Sequence, residues 1–142
     1  SNNHGIKQLK TILGDLVKNI ITVPLPHWNG KNDCLHLMSN LSPLDHNLFL
    51  IYPRLLPVSF IQFLLDREIE LIEVPDSEYN SMGCNVLAVG HRKVIMIDGN
   101  PITKTTLEKK DIEVFTYNGS EISLKGSGGP TCLTRPFLRN SL

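Results

Sequence analysis

A chain of 142 residues with 14 basic and 14 acidic side chains is long enough for one domain with a modest core and carries no net charge. That balance leaves no electrostatic excess to attract a phosphate backbone or an anionic bilayer surface, so neither nucleic acid nor a membrane is expected as a partner. The apolar runs Val58 to Leu65 and Val86 to Val89 are too short to span a bilayer and the N-terminus lacks the apolar core of a signal peptide, which points to a soluble, cytoplasmic protein.

Taken in chain order, Ile6, Leu9, Ile12, Leu13 and Leu16 recur at helical spacing, and the β-branched stretch Asn19 to Val23 predicts a short strand. A turn-rich loop through Pro24, Pro26, Trp28 and Gly30 leads to a predicted strand at Cys34 to Asn40, with His36 early in it. Ser42, Pro43 and Asp45 predict a turn, Leu48 to Tyr52 a strand, Val58 to Arg67 a helix and Ile69 to Val74 a strand. After a polar loop through Asp76 to Met82 the order returns. Asn85 to Val89 is a strand headed by Asn85, Gly90 to Lys93 a tight turn, Val94 to Ile97 a strand, Thr103 to Lys110 a helix and Ile112 to Tyr117 a strand. Phe49 to Pro53 runs parallel to Ile95 to Gly99, and Glu70 to Val74 to Glu113 to Tyr117. A repeat of this period predicts an α/β array or propeller of strand-strand-helix-strand modules, each needing neighbours to bury its faces. Ile122 to Lys125 is a possible further strand, followed by a glycine-rich segment that opens another unit.

Three cysteines, Cys34, Cys84 and Cys132, cannot all pair within the chain and resemble no disulfide framework, so free thiols are expected. With no C-x-x-C pair, no metal and no cofactor are expected, and Cys34 and Cys84 read as core thiols. Taken alone, Cys132 and His36 would each more often be packing residues than catalytic ones. Arg135 and Arg139 can bind a substrate carboxylate, lie on a solvated face or tie down the C-terminal segment.

The run Gly128-Gly129-Pro130-Thr131-Cys132-Leu133-Thr134-Arg135-Pro136 resembles the C-terminal signature of the pentein superfamily, the arginine deiminases, dimethylargininases and amidinotransferases. Cys34-Leu35-His36-Leu37 resembles the segment of its catalytic histidine, and Asn85 resembles a recurring asparagine between those landmarks. The resemblance implies a pentein α/β propeller, with Cys132 as nucleophile and His36 as acid and base. It places Asn85, Gly129 and Arg135 on the substrate side. A thiolate is the attacking form of cysteine, imidazole has the intrinsic pKa to serve a leaving amine and then water, and glycines let backbone approach a planar group.

Complete pentein domains close five modules. This chain is expected to supply two, at about 36–74 and 85–117, with partial modules at both ends, so residues 1–142 would form the C-terminal part of a catalytic domain. Nothing upstream of His36 resembles the family's acidic guanidinium-binding stretch, and Asp15 and Asp33 are poor substitutes. The missing N-terminal half, or another copy of the chain, is therefore an expected partner, and the isolated chain should have little activity. Met38 stands where arginine deiminases carry an aspartate, which favours chemistry nearer to dimethylargininase. The implied reaction is hydrolysis at the guanidino carbon of arginine or a methylated arginine, through a cysteine thiouronium. The alternatives are amidino transfer, or a non-catalytic binding or assembly role. His36 and Cys132 are expected to face one cavity across a gap, without direct contact.

Overall fold

The computed structural model describes residues 1–138; Arg139 lies outside them. Helix α1 spans Asn3–Leu13, opened by the Asn2 side chain, which accepts from the Gly5 amide, and closed at Gly14. None of its residues is buried, and Leu9, Ile12 and the following Leu16 are exposed. No strand forms at Asn19 to Val23: a strand needs a partner for its N–H and C=O groups, and none lies beside it among the described residues.

Two three-stranded sheets follow. The first joins β1 (Leu41–Asp45), β2 (Leu48–Ile51) and β3 (Glu70–Glu73), with α2 (Val58–Leu65) between β2 and β3. The second joins β4 (Leu87–Gly90), β5 (Lys93–Ile97) and β6 (Glu113–Tyr117), with α4 (Pro101–Glu108) in the equivalent place and the short α3 (Asp76–Tyr79) between the two units. In each sheet the first pair is antiparallel with a bulge and the second pair is parallel. The helix ends also match. Ile69 N–H reaches Leu64 C=O and Ile112 N–H reaches Leu107 C=O, each at 3.2 Å, around left-handed Glu68 and Asp111, both at φ 57°.

The predicted repeat is present as strand-strand-helix-strand twice, but three local expectations need correction. Cys34 to Asn40 is not a strand; Leu37–Ser39 is a short 3-10 turn, and the strand lies one step later, over the Ser-Pro-Asp stretch read as a turn. Pro43 is tolerated because β1 pairs on one side only and is bulged there. Ile122 to Lys125 is not a strand either, since Ser120–Leu124 winds into a π-helical turn held by Gly119 C=O. The alignment of Phe49 with Ile95 is one residue out. Glu70 N–H bonds Asn47 C=O as Glu113 N–H bonds Arg92 C=O, and Leu48 pairs with Glu70 as Lys93 does with Glu113, so Phe49 corresponds to Val94. In a strand, one residue exchanges the faces.

The corrected register explains the core. Ile51 faces Leu41, Leu56 and Leu64 with Phe49 packed against them, on the α2 side of the first sheet. Leu48, Leu50, Tyr52 and Ile72 face the other way, against Val94, Met96, Leu107 and Ile112 of the second unit. Each sheet is thus built to have its own helix on one face and the next unit on the other. In the second sheet that next-unit face is open: Phe115, the counterpart of buried Ile72, is 47% exposed. The architecture is α/β, an incomplete propeller of repeated modules.

Candidate active site

Two corners of similar build frame the site. After β3, the chain turns through α3 and a left-handed Met82 (φ 61°), and Gly83 N–H returns to Glu78 C=O at 2.9 Å. A Cβ on Gly83 would lie 2.7 Å from that carbonyl oxygen, which excludes any larger residue. After β6, Ser127 (φ 54°) and Gly128 repeat the device, with Gly128 N–H on Ser123 C=O at 3.0 Å. The first corner delivers Asn85, two residues before β4 rather than at its head. The second delivers Cys132.

Asn85 is 5% exposed and tightly held. Its N–H donates to Met82 C=O, and Ser42 of β1 grips the peptide groups on either side: the hydroxyl donates to Cys84 C=O at 2.7 Å and accepts from Val86 N–H at 3.1 Å. Ser42 is fully buried. The Asn85 amide points at the second corner. Its Oδ1 accepts from Thr131 N–H at 3.1 Å and Thr131 Oγ1 at 2.7 Å, and its Nδ2 donates to Cys132 Sγ at 3.5 Å.

Cys132 sits in a single helical turn, α5 (Pro130–Leu133), that starts with a proline and is closed by Thr134 Oγ1 donating to Pro130 C=O at 2.7 Å. The residue is exposed. Gly129, expected to admit a substrate, has its open side filled by Asn85: a Cβ there would lie 2.4 Å from Asn85 Cγ. The glycine lets the cysteine turn seat on the amide.

His36 immediately precedes the 3-10 turn, its C=O accepting from Ser39 N–H at 2.9 Å, and its side chain is exposed. The turn is anchored at buried Asn40, whose Oδ1 accepts from Tyr79 and whose C=O accepts from Tyr52 N–H, with the two tyrosine rings stacked at 4.0 Å. Burial pushes the Tyr79 hydroxyl up to about 12, so it stays a donor. Among the described residues no hydrogen bond joins His36 to Cys132. Arg135 lines a groove of about 870 Å³ together with Asp45, His46, Leu87, Val89 and His91, and neither His36 nor Cys132 lines it. Asn85, Gly129 and Cys132 are therefore brought together; Arg135 follows Cys132 by three residues but lines a groove that Cys132 does not, and among the described residues no hydrogen bond ties His36 to Asn85 or Cys132.

The other thiols differ sharply from each other. Cys84 is buried, and desolvation pushes its pKa up to about 12, which leaves it an inert thiol at neutral pH. Cys34, expected in the core, is exposed, because the strand that would have turned it inward does not form. Ser42 and Thr131 receive no role at the site from sequence alone; a serine between Leu41 and Pro43, two residues before Leu44, is the available signal for the first.

Residues 56–139, more than half of the chain, match the arginine deiminase family model. The chain belongs to the arginine deiminase family. Among curated relatives of this arginine deiminase family chain, the uncharacterised protein YkgA of Bacillus subtilis is 31% identical over 105 residues, covering 74% of this chain and 36% of YkgA. Arginine deiminase of Clostridium perfringens is 35% identical over 85 residues, 55% of this chain and 20% of that enzyme. Among solved structures, the amidinotransferase SxtG of Microseira wollei aligns with all of this chain and 43% of its own at TM-score 0.80 and 20% identity, a likeness of fold. DDAH of Pseudomonas aeruginosa, complexed with citrulline, aligns with 93% of this chain and 46% of its own at TM-score 0.68 and 25% identity. The fold is that of the pentein superfamily. The chain spans about a third or less of these curated relatives and under half of the solved ones.

Proposed function

We propose that this chain carries the nucleophile and the acid/base of an enzyme that hydrolyses the guanidino group of arginine or a methylated arginine. The observation that supports this most directly is the exposed Cys132 seated on Asn85 at a glycine corner, in a chain of the arginine deiminase family. Cys132 thiolate attacks the guanidino carbon, His36 gives its proton to the departing amine, and an S-alkylthiouronium remains. His36 then takes a proton from water, the hydroxide adds to the same carbon, and collapse releases the ureido product and restores the thiolate. Arg135 is proposed to meet the substrate carboxylate, since a guanidinium binds a carboxylate in a bidentate fork. With Met38 two residues after His36 rather than a second carboxylate, a methylated arginine fits at least as well as arginine.

The remaining modules are supplied by further chain or by a partner. The open sheet face at Phe115 and the exposed α1 support this, as does the span of less than half of the solved relatives. Carboxylates that grip the guanidinium would come from those modules. The test takes the native protein from its source, measures its mass, and assays ureido product and released amine from arginine and from methylated arginines. Cys132→Ser and His36→Ala should abolish turnover, and acid quenching of the wild type should trap a covalent adduct on the peptide containing Cys132. Full activity in Cys132→Ser would remove the nucleophile. Amidino transfer to an added amine, in place of ureido product, would instead assign the transferase reaction.

A further inference from the structure

We propose that Asn85 is a positioning residue that tunes Cys132: its amide nitrogen donates to the sulfur in the thiolate form while its oxygen locks the turn that carries it. This deepens the reading of Cys132 as nucleophile and rests on it. The amide can face the turn in one sense only. Thr131 N–H must donate, so Oδ1 takes that side, and Nδ2 is left pointing at Sγ 3.5 Å away. The Thr131 hydroxyl is 4.0 Å from the sulfur, and its proton is committed to Oδ1 at 2.7 Å. Among the described residues, then, Asn85 supplies the one directed N–H to the sulfur. No charged side chain of the described residues is within hydrogen-bonding distance of Sγ; the polar groups facing it are Asn85 and Thr131.

A donor to sulfur favours the charged form over the thiol, because a thiolate accepts far more strongly. The donor is also preorganised. Ser42 fixes the peptide groups before and after Asn85, and Gly129 packs against the amide with no room for a Cβ, so Nδ2 does not have to be ordered when the thiolate forms. The chemistry explains why an amide stands there. An aspartate would accept from Thr131 equally well, but would set a negative charge against the sulfur and offer it no proton.

That contrast gives the test. In a Cys34→Ser background of the full chain, iodoacetamide reads Cys132 alone, because Cys84 is buried and protonated. Alkylation rates are measured from pH 6 to 10, with melting curves, for Asn85→Asp, Asn85→Ala and Thr131→Val. Asn85→Asp should keep a near-normal melt yet alkylate about tenfold more slowly at neutral pH, with the profile displaced to higher pH and the same plateau. Thr131→Val, which keeps the backbone donor, should remain within about twofold of the parent. Should Asn85→Asp not fold, Asn85→Ala is read in its place, with a displaced profile and an unchanged plateau expected. A folded variant with the parental profile overturns the proposal, and so does a loss confined to the plateau, which would reflect access alone. No guanidine is present in this assay, so its failure leaves the turnover test of Cys132 standing, and the converse holds too.

Discussion

Ser42→Ala is the most informative single change outside the cysteine turn. The hydroxyl bridges Cys84 C=O at 2.7 Å and Val86 N–H at 3.1 Å, and Ser42, Cys84 and Val86 are each no more than 1% exposed. Alanine keeps the strand and the space but leaves two backbone groups buried with no partner and no route for water. Each such orphan costs about 1–3 kcal/mol, so a loss of about 2–4 kcal/mol is expected. That is a large part of the roughly 5–15 kcal/mol that holds a domain of ordinary stability. Urea unfolding followed by far-ultraviolet circular dichroism measures it, with the midpoint falling and the slope unchanged. Because the bridge holds Asn85 from both sides, Cys132 alkylation in the Cys34→Ser background should also slow. A loss below about 0.5 kcal/mol would show that the corner relaxes to find other partners, and the reasoning from the buried bridge would fail.

Three further outcomes follow from the geometry. Pro101 has no N–H and the Glu78 carboxylate accepts from Ile102 N–H at 2.7 Å and Thr103 N–H at 2.8 Å, so Glu78→Ala strips the whole N-terminal cap of α4 and should cost about 2–4 kcal/mol in urea unfolding. Gly129→Ala, whose Cβ would meet Asn85 Cγ at 2.4 Å, should lower stability by about 1–3 kcal/mol and disturb Cys132 alkylation, whereas Gly126→Ala, with nothing within 4 Å, should be neutral or slightly stabilising. The Asp45 carboxyl lies below its ordinary 3.8, chiefly because His46 N–H donates to it, with burial opposing and His91 assisting. Its contribution is therefore complete above pH 3.8 and lost as the pH falls through the lowered value; the stability difference between wild type and Asp45→Asn should shrink in that window when urea midpoints are compared at pH 6 and below pH 3.

The strand-strand-helix-strand order was legible in sequence because β2 and β5 are short apolar runs and β3 and β6 carry apolar residues behind a leading glutamate, each bounded by turn residues. Register was not. Phe49 to Tyr52 and Val94 to Ile97 are apolar at nearly every position, so no alternation distinguishes the correct pairing from a slip of one residue; the answer comes from the backbone bonds of Glu70 and Glu113. β1 was hidden for another reason. Ser42, Pro43 and Asp45 carry turn propensity, but Ser42 spends its hydroxyl on the neighbouring unit and Pro43 stands on an edge, uses that local propensity does not foresee.

The candidate site was legible in its residue types and illegible in its wiring, and the cause is the same. Asn85 and His36 lie in segments that lead into strands and Cys132 in a single helical turn after a glycine corner, where no periodicity constrains a side chain, so their relations depend on contacts between units. Ser42 of the first unit holds Asn85 of the second, and Asn85 holds Thr131 and Cys132 of the segment after it. A motif around Cys132 therefore records only the last link. If the unit-to-unit chain sets the surroundings of Cys132, then Ser42→Ala and Asn85→Asp should act on it non-additively, because both perturb one amide. In the Cys34→Ser background the double variant should alkylate no more slowly than Asn85→Asp alone, by the same iodoacetamide assay. Fully additive slowing would mean that Ser42 reaches the cysteine by some other route.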